Sequence, residues 1–270
     1  MPRHSLPAAN RRIVVQSLAA MLLLPSAHSA NAQINLSTAI NRTARFRALS
    51  QRIAKAYTQM YLGVLPGNAK DVVSTALRLV QVGFDDLAKG QFNTDISRQI
   101  GNIQAQARTL TGLVSRTPNK DAVAAVAAQA DKMLAVADAT TQALENQAGQ
   151  SSAKLINLAG RQRYLSQHMA KNYFLVAADL GNAGNRDLLQ GDRTEFKNAL
   201  VALSNAPIST PGIRNELALA QSQWVFFESA INRKPDSAGL SDVATTSERL
   251  LEVMNNLTGM YDEALKSVLG

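Results

Sequence analysis

"INLAGRQRYLSQHMAK", residues 156–171, is anticipated by "INRTARFRALSQRIAK", residues 40–55. Carried on to Tyr57 and Tyr173 at a constant offset of 116, the two stretches are identical at 10 of 18 positions. Both keep Ile-Asn, Arg-x-Arg, Leu-Ser-Gln, Ala-Lys and a tyrosine. These are helix formers without β-branched alternation, so each copy reads as one helix. Around them, turn signals recur at Leu65–Asn68, Gly90, Thr117–Asn119, Gly149–Ser152, Gly181–Asn185, Asn205–Pro211 and Lys234–Gly239. Adding 116 to the first-half signals at Pro66, Gly90 and Pro118 lands in or beside turns of the second half. The punctuation repeats where the side chains have drifted. The expectation is an all-α fold of about eight helices, built as two tandem up-down four-helix bundles at residues 33–150 and 151–270.

Gly149 with Ser151-Ser152 is a soft break inside the helix-compatible stretch 121–180. A break there sets the two motif helices parallel. A continuous helix would stack the bundles end to end and separate the motifs.

Arg3, Arg11 and Arg12 precede the apolar run Ile13–Leu24, and small residues ending in Ala30-Asn31-Ala32 follow. This is the pattern of a signal peptide over residues 1–32, which directs the protein to the periplasm. The general secretory route fits better than the twin-arginine one, and retention of the run as an anchor is the other reading.

The formal charge is +8, and three of the 28 basic residues lie in the leader, leaving 25 basic against 20 acidic. That is too modest for nucleic-acid binding, and no basic run is interleaved with aromatics. There are no cysteines, which removes disulfides, thiolate metal sites and covalently attached haem. His168 is the sole histidine beyond the leader, and no Gly-x-Ser-x-Gly accompanies it. Neither a catalytic constellation, a metal site nor a cofactor site is expected, so the chain does not read as an enzyme.

Placed at 100° intervals, Phe46, Leu49, Ile53 and Met60 form an ordinary core stripe. A second stripe runs Ile40, Thr43, Arg47, Ser50, Ala54, Tyr57, Tyr61, matched by Ile156, Ala159, Arg163, Ser166, Ala170, Tyr173, Ala177. Its small residues invite another helix to approach closely, and an arginine in its middle needs an anion. Arg45 and Arg161 point elsewhere, to solvent or to another helix. No Asp or Glu occurs between Ile34 and Lys70, or between Asn146 and Ala178. The anion must come from another helix, a partner or a ligand. Guanidinium suits planar oxyanions because its donors can meet two oxygens at once. His168 reads as partly exposed, and Trp224, Phe226 and Phe227 as core.

The repeated stretch resembles the PilJ-type domain, the N-terminal domain of type IV pilus methyl-accepting transducers. It is also similar to the P-box of NarX-like nitrate/nitrite sensor kinases. Ile156, Asn157, Ala159, Gly160, Arg163 and Ser166 carry the match. The first copy keeps Ile40, Asn41, Arg47 and Ser50 but has Thr43-Ala44 where the family has Ala-Gly. The resemblance implies a periplasmic sensor bundle, with nitrate or a similar anion held between two such helices. Arg47, Arg163, Asn41, Asn157, Ser50 and Ser166 are the implied ligand residues, with Arg45, Arg161 and Gly160 secondary. Two copies in one chain would form an intramolecular pseudo-dimer, relaying occupancy to a membrane sensor kinase or chemotaxis-type transducer. A ligand-free helical scaffold of the cell envelope is the competing reading.

Overall fold

The computed structural model describes residues 34–149, 151–181 and 184–269; the expected leader lies outside them. Eight helices account for almost all of these residues: α1 Leu36–Tyr61, α2 Pro66–Leu87, α3 Thr94–Val114, α4 Lys120–Ala148, α5 Ser151–Ala177, α6 Gly184–Ser204, α7 Pro211–Ile231 and α8 Ser237–Leu269. The fold is all-α. Among the described residues no helix is long and apolar enough to cross a membrane.

The helix ends follow from local chemistry. Asn35, Asn93, Asn119 and Thr210 each accept a hydrogen bond from the backbone N–H three residues on, satisfying a donor that the first turn leaves free. Pro66 and Pro211 open α2 and α7, where a missing N–H costs nothing. Gly149 ends α4 at φ +62°, a left-handed conformation that glycine adopts without strain. The stretch 121–180 is therefore two helices.

α1 packs on α2, α4 and α5, and α3 packs on α4; α5 packs on α6 and α8, and α7 packs on α8. Two apolar cores result. One is dominated by α1 to α4, with Phe46, Leu49, Ile53, Ile103, Leu110 and Met133. The other is dominated by α5 to α8, with Leu165, Phe174, Phe196, Trp224, Phe227 and Met254. The aromatic rings of Phe196 and Trp224 stack at 4.4 Å in the second core.

The α1–α5 contact joins the two cores, and the two helices run parallel and in register. Asp131 of α4 accepts from both Gln51 of α1 and Lys171 of α5. Asp138, two turns further along α4, pairs with both Arg47 and Arg161. Because α1 is flanked on several sides, both of its stripes are buried. Phe46, Leu49 and Ile53 are inside, and so are Ile40, Thr43, Arg47, Ser50, Ala54 and Tyr57. Tyr61, at 36% exposed, is where the second stripe leaves the interior.

One core assignment is corrected. Trp224 and Phe227 are buried, but Phe226 is 59% exposed. Positions three apart share a helix face, whereas position 226 is rotated about 200° from 224 and turns outward.

Candidate functional site

Polar side chains line the α1–α5 seam in successive layers, each supplied in near-duplicate by the two helices. Arg47 donates through Nη2 to Asn157 Oδ1 at 2.8 Å, and Arg163 Nη2 donates to Asn41 Oδ1 at 2.9 Å. Each arginine therefore holds the asparagine of the opposite helix. Ser50 and Ser166 each donate to the carbonyl of the arginine three residues earlier, both at 2.9 Å. They brace the arginine's own backbone. The asparagines in turn donate to carboxylates, Asn41 to Asp262 of α8 at 3.4 Å and Asn157 to Glu145 of α4 at 2.5 Å.

The close approach needs Gly160. A Cβ there would lie 3.0 Å from Ala44 Cβ, 3.2 Å from Arg163 Nη2 and 3.5 Å from Arg47 Nη2. Both guanidinium groups thus converge over this glycine. Their Nη2 nitrogens lie within about 7 Å of each other, the sum of the last two distances. Arg47 is fully buried and Arg163 is 3% exposed.

Their charges are not compensated alike. Arg47 donates from Nη1 to Asp138 at 2.5 Å, and its guanidinium carbon stands 5.7 Å from the centre of the Tyr164 ring. Burial pulls the Arg47 pKa down and Asp138 works against that. Among the described residues Arg163 faces no carboxylate within ion-pair distance. Its Nε is buried without a hydrogen-bond partner. Burial, and then the charges of Arg45, Arg47 and Arg42, push its pKa well below the ordinary value, with Asp262 the opposing charge.

Arg45 and Arg161 also diverge. Arg161 pairs with Glu195 of α6 and, at 3.5 Å, with Asp138. Burial lowers its pKa, but the hydrogen bond that Arg161 donates to Glu195 and nearby negative charge outweigh that and raise it overall. Arg45 is half-buried and makes neither a hydrogen bond nor an ion pair among the described residues. Arg42 beside it pairs with Asp86 at 2.9 Å.

Two further residues of the seam were not singled out from the sequence. Lys55 and Lys171 are 0% and 1% exposed. Lys55 donates to Glu248 at 2.5 Å and to Ser247 at 3.0 Å, and Lys171 donates to Asp131. Burial lowers both lysine pKa values, the partner carboxylates opposing it. On Glu248, burial alone would raise the pKa; Lys55 and Arg52 overcome it and hold the carboxyl at about 2. Their signal in the sequence was identity between the copies, in the shared Ala-Lys pair. His168, which stands where Arg52 stands in the first copy, is bonded to Asp192 at 2.6 Å and is mostly covered.

A groove of about 530 Å³ between α1, α2 and α8 is lined by Arg52, Gln59, Asn68, Glu248, Arg249 and Asn256, among others, but not by Arg163. The arginine seam is a packed contact rather than an open cleft. Among the described residues no cluster of His, Asp and Glu could hold a metal.

None of the curated proteins and none of the solved structures matches the chain. A family model does match, over residues 146–258, which span all of α5 to α7 and most of α8. The matched segment contains Asn157, Gly160, Arg163 and Ser166, the second-copy half of the seam. Residues 146–258 are thus similar to the PilJ domain, the type IV pili methyl-accepting chemotaxis transducer N-terminal domain, a transducer-related sensor module.

Proposed function

We propose that this protein is an exported, periplasmic sensor module that binds a small oxyanion of the nitrate or nitrite class at Arg163. Residues 33–150 and 151–270 act as two PilJ-type units whose first helices form one intramolecular site. Asn41 and Asn157 orient the two arginines, Ser50 and Ser166 brace them, and Gly160 lets the helices meet. Occupancy is passed to a membrane-bound signalling partner.

The observation that carries this reading is the state of Arg163. It is a guanidinium at 3% exposure with an unpartnered Nε and, among the described residues, no carboxylate within ion-pair distance. A buried cation in that state is costly, and a small planar anion would relieve the cost while using donors that point to nothing else. Since Arg163 lies in a packed seam, entry requires α1, α5 and α8 to separate slightly. That separation is a natural means of coupling ligand to signal.

Calorimetric titration of the purified protein with nitrate and with nitrite tests the reading. Saturable heat with one of them, lost in Arg163→Gln, is expected. No heat with either anion, or full binding retained by Arg163→Gln, would overturn it.

A scaffold without a ligand is favoured by one contact, the 2.5 Å pair between Arg47 and Asp138. That pair accounts for Arg47 and leaves Arg163 unexplained.

A further inference from the structure

Arg47 and Arg163 hold equivalent places on two parallel helices, yet among the described residues only Arg47 has a carboxylate within ion-pair distance. The difference lies on the flanking helices. Gln51 donates to Asp131 on α4, and its counterpart Gln167 donates to the Ser247 carbonyl on α8. Positions 131 and 247 are related by the same offset of 116 as the two motif helices. Two helical turns further along, Asp138 of α4 faces Arg47 at 2.5 Å. The corresponding residue of α8 is Met254, fully buried. The position that supplies the first arginine's counter-ion thus carries a thioether in the second half of the chain.

The same imbalance appears one layer outward. Arg161 has Glu195 and Asp138, whereas its counterpart Arg45 has neither. Position 79, which corresponds to Glu195, is a leucine. The two uncompensated arginines, Arg45 and Arg163, lie close enough for each other's charge to matter: Arg45 is the leading cation acting on Arg163.

We infer that Asp138 is a built-in counter-anion filling one half of a pseudo-symmetric arginine seam, and that the other half, with Met254 at the corresponding position, lacks one, so that each chain takes one small anion. The inference rests on the reading of Arg163 as the anion contact. A carboxylate offers a guanidinium two coplanar oxygens on a planar carbon, which is the donor demand that nitrate or nitrite also meets. Held by the backbone of α4, Asp138 competes at the effective concentration of an intramolecular group, in the millimolar range or above, so a dilute external anion does not displace it. Met254 offers only a weak acceptor. Arg163 therefore keeps its demand, and the stoichiometry is one per chain despite two matching arginines.

Exchanging the two residues tests this. Full-length protein, Met254→Asp and Asp138→Asn are titrated with sodium nitrate by calorimetry. The wild type is expected to bind one nitrate per chain, Met254→Asp to bind at least tenfold more weakly, and Asp138→Asn to bind two. Two nitrates in the wild type, or unchanged binding in Met254→Asp, would overturn the inference while leaving the proposed function standing. Conversely, a silent wild type beside an Asp138→Asn variant that binds nitrate would remove the role of Arg163 and keep that of Asp138. Silence in all three overturns both. If Asp138→Asn fails to fold, Met254→Asp decides alone, because it adds a counter-ion rather than removing one.

Discussion

Gly160→Ala measures how tightly α1 and α5 meet. In an exposed helix interior, replacing glycine by alanine stabilises by about 1 kcal/mol, because the backbone has less freedom to lose. At Gly160 the new methyl would lie 3.0 Å from Ala44 Cβ and 3.2 Å from Arg163 Nη2. Ordinary contact begins several tenths of an ångström further out, and Ala44 is itself backbone-bound, so one helix must shift. Overpacking of this kind costs about 1–3 kcal/mol. The net expectation is a loss of about 1 kcal/mol. Gly101, inside α3, is the control, since an added Cβ there meets nothing within 4 Å; Gly101→Ala should gain about 1 kcal/mol. Guanidinium unfolding followed by far-ultraviolet circular dichroism should separate the two variants by about 2 kcal/mol, readable as a shift in midpoint at constant slope. A Gly160→Ala protein as stable as Gly101→Ala would refute the close crossing, and with it the convergence of the two arginines.

Three other outcomes follow from the geometry. Glu248 has its pKa depressed from 4.5 to about 2, so its stabilisation is complete above pH 4.5 and is lost as pH falls from there toward 2. Up to about 3 kcal/mol should disappear over that window, and acid titrations of Glu248→Gln should lack it. Leu65 sits at φ +45° with 41% exposure, a conformation costing a side-chain-bearing residue about 1–2 kcal/mol; Leu65→Gly should raise the melting temperature. Phe226→Ser, on the exposed side of α7, should change stability by less than about 0.5 kcal/mol. Phe227→Ala next to it should cost about 3–5 kcal/mol in chemical denaturation.

Helix number and boundaries were legible because they are set locally. Asn119, Pro66, Pro211 and Gly149 act within a few residues of where they stand. The inward direction of Arg47 and Arg163 was also readable, since helical rotation depends only on spacing. What each side chain meets was not. Asp138, Asp131 and Glu248 lie 84 to 201 positions from Arg47 along the chain, and nothing in the acid-free motif says which helix returns to it. A helical wheel also treats lysine as a surface residue. Lys55 and Lys171 are buried because α1 and α5 are flanked on several sides, a property of their neighbours and not of their own sequence. Phe226 erred the opposite way: an aromatic in an aromatic run was read as interior, when only two of the three could face the core.

The parallel pairing of α1 and α5 within one chain has an evolutionary consequence. In a homodimer with a two-fold axis, any residue beside one protomer's site necessarily stands beside its partner's, so the two half-sites cannot differ. A tandem chain encodes them separately. Positions 138 and 254 can then diverge by single substitutions, and here they hold an aspartate and a methionine. Dilution, which dissociates a dimer and its shared site, leaves this one assembled.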